Sequence, residues 1–397
     1  MLEIIIAGEG TGLMTQQVRE ALNESDTIFA HERFRALIND ERKFIALKNF
    51  NDAFNFIDNY ESAKILFLVS GDPCLYSLLP LVKKRFPNAD IKVLPGISSL
   101  QVICSHACET WNGANIISGH GRLINSGAFL NSIERNRVNI LFCDKNFSPE
   151  YICSKLESEN ISGLEVFIGE RLGSESEKIY HGLPKEFINH GFSQPAIILI
   201  RNNNIYVPER LRLRDKDFIR SENIHITHEL IRAAILDRLE LDSDSILFDI
   251  GAGTGSISIS AGHEHNDIEI HSIEYKHEAV NLISRNIKKF HLHNITLHEG
   301  RAIGFIKSLP IPSHVFIGGS GGELAFILEY LASLDESIRL VLECVTLETL
   351  NTAFNFMSSM KNFEALQISA SVSKNIADSL TLMKANNPVM ILCADSR

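Results

Sequence analysis

Ile246-Leu247-Phe248-Asp249-Ile250-Gly251-Ala252-Gly253-Thr254-Gly255-Ser256 runs from an apolar stretch through three spaced glycines into a helical pattern. The apolar start, Ile246–Asp249, has the composition of a buried strand, and the glycines allow a tight turn whose main-chain N–H groups a ligand approaches without a Cβ in the way. Several nucleotide folds share a glycine-rich turn of this kind, so the turn alone is weak evidence. The spacing narrows it: G-x-G-x-G rather than G-x-G-x-x-G, with an acid two residues before the first glycine. Asp249, Gly251, Gly253 and Gly255 are therefore candidate cofactor contacts. Glu274 closes the next apolar run, Ile268–Glu274, where a carboxylate reaches both hydroxyls of a ribose; a solvated strand end is the other account of it.

Working outward, a helix over about Thr227–Leu239 precedes this turn. Ala279, Ile283, Ile287 and Phe290 recur at helical spacing within Lys276–Phe290, with Lys and Arg on the other face. Strands are predicted at Ile295–His298, Val315–Ile317 and Arg339–Cys344, with a helix over Glu323–Leu334 between the last two. Such alternation predicts a mostly parallel sheet covered on both faces. Upstream, residues 206–222 are charged and poor in apolar side chains, as a connector is. The first half repeats the α/β alternation, with predicted strands at Ile4–Ala7, Ile65–Val69, Ile91–Leu94, Ile140–Phe142, Val166–Ile168 and Ile197–Ile200. The expected organisation is a domain over 1–205, a linker over 206–222 and a second domain over 223–397.

The chain has 397 residues, 45% hydrophobic and 22% charged, which suits two globular domains of about 200 residues each. No apolar run is long enough to cross a bilayer, and the opening Met1-Leu2-Glu3-Ile4-Ile5-Ile6 lacks the basic flank of a signal peptide. Seven cysteines without a C-x-x-C pair predict reduced thiols and a cytoplasmic setting. A net charge of −11 offers no broad attraction to phosphate backbones, so nucleic acid is disfavoured as a partner. No metal site is expected: in His263-Glu264-His265 the histidines stand at i and i+2 and face different sides of a helix. Cys104 and Cys108 are expected on one helix face, packed as small hydrophobes. Trp111 serves either the substrate pocket or the structure.

The run Phe316-Ile317-Gly318-Gly319-Ser320-Gly321-Gly322-Glu323-Leu324, followed by Val345-Thr346-Leu347-Glu348-Thr349, resembles the C-terminal methyltransferase of the precorrin-6Y C(5,15)-methyltransferase family, as does Asp249–Ser256. The likeness covers residues ~213–397. Small residues at the C-terminal edge of a parallel sheet leave an open floor for a flat macrocycle. The resemblance implies a Rossmann-like class I methyltransferase domain. In it, Ala302 joins Glu274 and the glycine turn in binding S-adenosylmethionine, Thr227 is catalytic, and Gly318, Gly319, Ser320, Gly321 and Lys384 meet substrate. The sequence departs from the family at His228 for lysine, Arg301 for an acid and Glu343 for asparagine.

Residues 1 to ~205 resemble the tetrapyrrole (corrin/porphyrin) methylase family, a fold of two α/β subdomains. The matching motifs are Gly8-Glu9-Gly10-Thr11-Gly12 (threonine replacing proline), Val69-Ser70-Gly71-Asp72-Pro73 with Tyr76, Pro95-Gly96-Ile97-Ser98-Ser99, and Ser118-Gly119-His120-Gly121-Arg122. By resemblance, Gly71, Asp72, Pro73, Gly96, Ser98 and Ser99 hold S-adenosylmethionine, while Gly10, Gly12 and Tyr76 face the tetrapyrrole. His120 and Arg122 meet its carboxylates, which arginine binds bidentately. The implied activity is bifunctional: methylation of a precorrin at carbons 5 and 15, with loss of carbon dioxide from the ring C acetate, in cobalamin biosynthesis. The family further implies a homo-oligomer. Two other readings fit the same residues: a methyltransferase for another substrate, RNA included, and a binding module that no longer turns over.

Overall fold

A computed structural model describes residues 2–10, 14–60, 62–119, 125–377 and 380–397. The chain forms two compact units, Met1–Leu123 with Asn136–Asn204, and Ile124–Arg135 with Ile205–Arg397. Among the described residues no helix is long and apolar enough to cross a membrane, and all seven cysteines are free thiols.

The first unit opens with β1 (Glu3–Glu9), β2 (Thr27–Ala30), β3 (Phe44–Ala46), β4 (Lys64–Ser70) and β5 (Asp90–Leu94), all parallel in the order β3-β2-β4-β1-β5. Consecutive strand residues point to opposite faces, so an unbroken apolar strand builds two cores. Ile5 and Ala7 of β1 pack with Val18 and Leu22 of α1 (Gln16–Glu24). Ile4 and Ile6 pack on the other face with Phe54 and Ile57 of α2 (Phe50–Ile57) and Val82 of α3 (Leu79–Arg85). After α4 (Ser99–His106) a second sheet forms from β6 (Asn115–Ser118), β7 (Val138–Phe142), β8 (Leu164–Glu170), β9 (Lys178–Gly182) and β10 (Ala196–Asn202). Its order is β6-β7-β10-β8-β9, and of these neighbouring pairs β6–β7 is parallel and the others antiparallel.

Between β6 and β7 the chain departs from this unit. The helix α5 (Ser126–Arg135) is counted with the second. There Asn131 donates to the Asn266 carbonyl at 3.1 Å and accepts from the His293 amide at 2.7 Å. Glu134 lies 3.3 Å from both His291 and His293. Gly127 lies so close to the neighbouring backbone that a Cβ would sit 2.7 Å from the Asn294 Cα. The first unit is completed by α6 (Pro149–Ser158).

The second unit carries α7 (Glu229–Leu239), β11 (Ile246–Ile250), α8 (Ser256–Glu264), β12 (Glu269–Glu274), α9 (His277–Lys289), β13 (Ile295–Glu299) and β14 (His314–Ile317). It continues with α10 (Leu324–Ser333), β15 (Arg339–Cys344), α11 (Leu347–Met357), β16 (Lys361–Ile368), β17 (Ser371–Ala377), β18 (Leu380–Ala385) and β19 (Val389–Asp395). Seven strands form one sheet in the order β13-β12-β11-β14-β15-β19-β16. The first five are parallel, as predicted, whereas β19 runs antiparallel to both β15 and β16. This is the Rossmann-like class I methyltransferase arrangement. The strands β17 and β18 form a separate hairpin.

Residues 206–222, read as a connector, belong to this unit. Phe218 is buried, and Asn286 of α9 receives the Ile219 amide at 2.8 Å and donates to its carbonyl at 3.1 Å. Arg232, 1% exposed, ties the same stretch to α7. Its guanidinium donates to Asp215 at 2.9 Å, to the Leu213 carbonyl at 2.9 Å and to the Thr227 carbonyl at 2.7 Å. The cysteine expectation holds for Cys104, which is buried. It fails for Cys108, because α4 ends at His106 and Cys108 lies exposed beyond it at φ +49°.

Candidate functional site

In the second unit the glycine elbow joins β11 to α8, and Gly251, Gly253 and Gly255 have φ of +74°, +57° and +75°. A Cβ on Gly251 would sit 2.7 Å from the Gly319 amide nitrogen, so the elbow and the Gly318–Gly322 loop after β14 touch backbone to backbone. That contact forms where β11 and β14 lie side by side while their connections diverge, which is where open α/β sheets bind ligands. The cleft there is lined by Ile250, Gly251, Tyr275, Ala302, Ser320 and Glu323, with Gly319, Gly321 and Arg301 at its wall. Gly318 stands at the base of the same loop, its amide donating to the Ile250 carbonyl at 3.0 Å.

Asp249 supports the elbow from beneath. It is fully buried, and its Oδ2 accepts from the Ser258 amide at 3.0 Å and from the Ser258 hydroxyl. Burial raises its carboxyl to about 6, against the lowering effect of the Ser258 hydrogen bonds. The sequence reading had offered this carboxylate to a ligand, but the structure turns it into the start of α8. Glu274 is also more engaged than its position suggested: it accepts from the Gly253, Tyr275 and Lys276 amides, each at 2.9 Å. A carboxylate offers about four acceptor positions, so a ribose binding both oxygens must displace at least one of these amides.

Thr227 lies just ahead of α7, its hydroxyl donating to Glu343 at 3.3 Å. The histidine that replaces the family's lysine, His228, caps α7, its ring accepting from the Leu230 amide at 3.3 Å. Arg301, where an acid was expected, reaches Glu323 at 3.0 Å and the Gly321 carbonyl at 3.2 Å across the cleft wall. Sequence reasoning missed this pair and Tyr275; the unexpected charge after Gly300 was the available signal. Lys384 is exposed on the β17–β18 hairpin, outside the seven-stranded sheet that holds the other residues. A larger cavity of about 740 Å³ lies between α7 and the end of α8. Its wall carries four arginines and four carboxylates, and it sits away from the glycine elbow, so no ligand charge is favoured there.

In the first unit the turns after β1, β4 and β5 converge. A Cβ on Gly8 would sit 2.6 Å from the Gly96 amide, and one on Gly10 would strike the Ile97 carbonyl and come 3.2 Å from Gly71. The Gly71 amide donates to the Glu9 carbonyl at 2.9 Å. Asp72 commits one oxygen to its own turn, accepting from the Cys74 amide at 2.7 Å, and Pro73 is buried. Ser98 caps α4 reciprocally with Gln101, whose side chain receives the Ser98 amide at 2.8 Å, and Ser99 is the first helical residue. Replacing Ser98 with alanine is expected to lower the stability of this unit by about 1 kcal/mol, read by chemical denaturation. Tyr76, half exposed, donates to the Ile116 carbonyl at 2.7 Å. Gly12, His120 and Arg122 lie outside the described residues.

The second unit thus holds a glycine-walled cleft beside a strand-end carboxylate, and the first unit brings three glycine-bearing turns together at the ends of β1, β4 and β5. Residues 219–395 match the precorrin methyltransferase domain family and residues 3–187 the tetrapyrrole (corrin/porphyrin) methylases. The chain is 32% identical over 183 residues to a cobalt-precorrin-6B C(15)-methyltransferase (decarboxylating) of Salmonella typhimurium, across 45% of this chain and 94% of that protein. It is 27% identical over 292 residues to a precorrin-6Y C(5,15)-methyltransferase [decarboxylating] of a Sinorhizobium species, across 71% of this chain and 68% of that one. A solved precorrin-6Y C5,15-methyltransferase structure from Geobacter metallireducens is 32% identical, covering 47% of this chain and 99% of that chain, with a TM-score of 0.44. The chain belongs to the precorrin methyltransferase family.

Proposed function

We infer that this chain methylates a reduced tetrapyrrole of the precorrin or cobalt-precorrin series at carbons 5 and 15, using S-adenosylmethionine, and removes carbon dioxide from the ring C acetate. The observation that supports this is the close meeting of glycine-bearing turns at the ends of parallel strands in each of the two units, with a cleft beside them in the second. The relatives' names, which include C(5,15)-methylation and decarboxylation, favour the same chemistry. The reading assigns one methyl transfer to a domain over 1–205 and the other, with decarboxylation, to a domain over 223–397.

The residues of the second cleft fit S-adenosylmethionine. The glycine elbow offers backbone that no Cβ shields, Glu274 offers a carboxylate, and buried Ala302 adds an apolar wall. Among the described residues Asp249 Oδ1 and Thr254 Oγ1 have no hydrogen-bond partner and are buried beneath the elbow, polar capacity that an ordered ligand's waters would use. In the first unit the fitting residues are Gly71, Asp72, Pro73, Gly96, Ser98 and Ser99. When bound, S-adenosylmethionine supplies a methyl group already activated on a sulfonium. The protein's own task is then alignment and exclusion of water rather than nucleophilic attack. Gly10 and Tyr76 in the first unit, and Gly318, Gly319, Ser320 and Gly321 in the second, form floors on which the macrocycle rests. Val345 and Leu347, 65% and 80% exposed, give the second floor an apolar margin.

Incubation with methyl-labelled S-adenosylmethionine and a precorrin substrate is expected to place two labelled methyls on each product molecule, read by mass spectrometry. A single methyl would remove one domain from the assignment. Label recovered in RNA and none in the tetrapyrrole would replace the reading altogether.

A further inference from the structure

Among the described residues that line the second cleft, Arg301 and Glu323 carry the only charges. Arg301 follows β13 and stands next to Ala302 of the donor wall, and Glu323 directly follows the Gly318–Gly322 loop. Both hydrogen bonds of the guanidinium leave from one nitrogen: Nη1 donates to the Glu323 carboxylate at 3.0 Å and to the Gly321 carbonyl at 3.2 Å. A guanidinium has five N–H donors in a planar fork. Its Nε–Nη2 edge, which grips a carboxylate with two parallel hydrogen bonds, has no partner among the described residues.

The two charges are not equally presented. The Arg301 side chain is 59% exposed and that of Glu323 13%, so the cleft shows solvent a cation. The Tyr275 ring centre lies 5.9 Å from the guanidinium carbon. The bond to Gly321 fixes the guanidinium against the floor loop, where Gly321 and Gly322 have φ of +59° and +91°. A side chain already held on one nitrogen loses less freedom when a ligand takes the other edge. An acid at this position, as in the family's pattern, would set two carboxylates side by side and repel an anionic ligand.

Resting on the tetrapyrrole reading above, we propose that Arg301 is a substrate-binding residue that sets specificity at the second site, its free Nε–Nη2 edge taking a rim carboxylate of the macrocycle as a bidentate pair. A precorrin carries its carboxylates on acetate and propionate arms around the ring, and the floor assigned to that ring is the loop to which Arg301 is tied. S-adenosylmethionine has a carboxylate too, so the experiment must separate the two sources. The exchange of an acid for arginine changes which rim group the site favours and leaves the reaction itself as it is.

The test uses the full-length protein with methyl-labelled S-adenosylmethionine and follows second-site methyl transfer against precorrin concentration. Arg301→Gln is expected to raise the KM for precorrin about tenfold, the loss of a charge-assisted pair, with a smaller change in kcat. Its calorimetric Kd for S-adenosylmethionine is expected to stay within about twofold of wild type. Arg301→Lys, which keeps the charge without the fork, is expected to recover part of the KM. The wild-type KM is expected to rise with salt more steeply than that of Arg301→Gln. An unchanged KM in Arg301→Gln would overturn the proposal. So would a raised KM that Arg301→Lys does not ease and whose salt dependence matches wild type, because Arg301 would then only hold the loop. A weakened Kd for S-adenosylmethionine with an unchanged precorrin KM would give the fork to the donor's carboxylate and overturn it equally. Should Arg301→Gln not fold, the wild-type salt dependence decides, and a KM flat from about 0.05 M to about 0.5 M salt overturns the proposal. Absence of any second-site methyl from wild type would instead overturn the reading on which the proposal rests.

Discussion

Gly251→Ala is expected to lower second-site methyl transfer at least a hundredfold while the first transfer continues, so that the product carries one new methyl instead of two. The φ of +74° costs an alanine about 1–3 kcal/mol. The larger effect is steric. The added Cβ would meet the Gly319 backbone within 2.7 Å, and neither element is the free end of a flexible side chain. One of the two loops must shift, and both line the same cleft. Displacement of reacting groups by about 1 Å costs on the order of a hundredfold in rate. Product mass and a calorimetric titration with S-adenosylmethionine check it. Two methyls transferred at the wild-type rate would show that the elbow and the Gly318–Gly322 loop need not touch for the second reaction.

Removal of the Arg232 guanidinium is the second change with a large expected effect. Arg232→Leu takes away the donor to Asp215, to the Leu213 carbonyl and to the Thr227 carbonyl at once. Breaking a buried pair from one side costs about 3–5 kcal/mol, because the remaining charge and carbonyls keep their desolvation penalty. For a unit of this size that corresponds to a drop in Tm of roughly 10 °C. The same variant frees the Thr227 backbone and so loosens the hydroxyl that donates to Glu343. Calorimetric scanning of the full chain should show the second unit melting earlier. A Tm within about 2 °C of wild type would mean that solvent replaces the guanidinium at little cost.

The parallel half of the second sheet was legible because each strand is a short β-branched run ending in turn residues. Arg339–Cys344 was read with its observed bounds, and Ile246–Asp249 fell one residue short. Its antiparallel half was not. Lys361–Ile368 mixes charged and apolar side chains on a mostly half-exposed strand, and nothing local says that β19 inserts between β15 and β16. Site residues were legible where glycine spacing carries the information, as at Gly251 and Gly96. They were less so where a side chain's direction decides its use. Asp249 and Glu274 stand at strand ends in the sequence, but only the fold aims them at Ser258 and at the Gly253, Tyr275 and Lys276 amides. Arg232 sits in the α7 helix, whose residue pattern gives a buried guanidinium no signature.

The helix α5 has a consequence for how such a chain is inherited. Its segment is encoded in the middle of the first half, yet its Phe129, Leu130 and Ile133 are buried, and its polar side chains engage Asn266, His291 and His293. A gene divided near codon 205 would therefore give two products that do not correspond to the two folded bodies. One would trail a helix stripped of its cover, and the other would expose the seat that helix had filled. Linear order and folded order have parted here, and separation of the halves by a single break has become correspondingly costly.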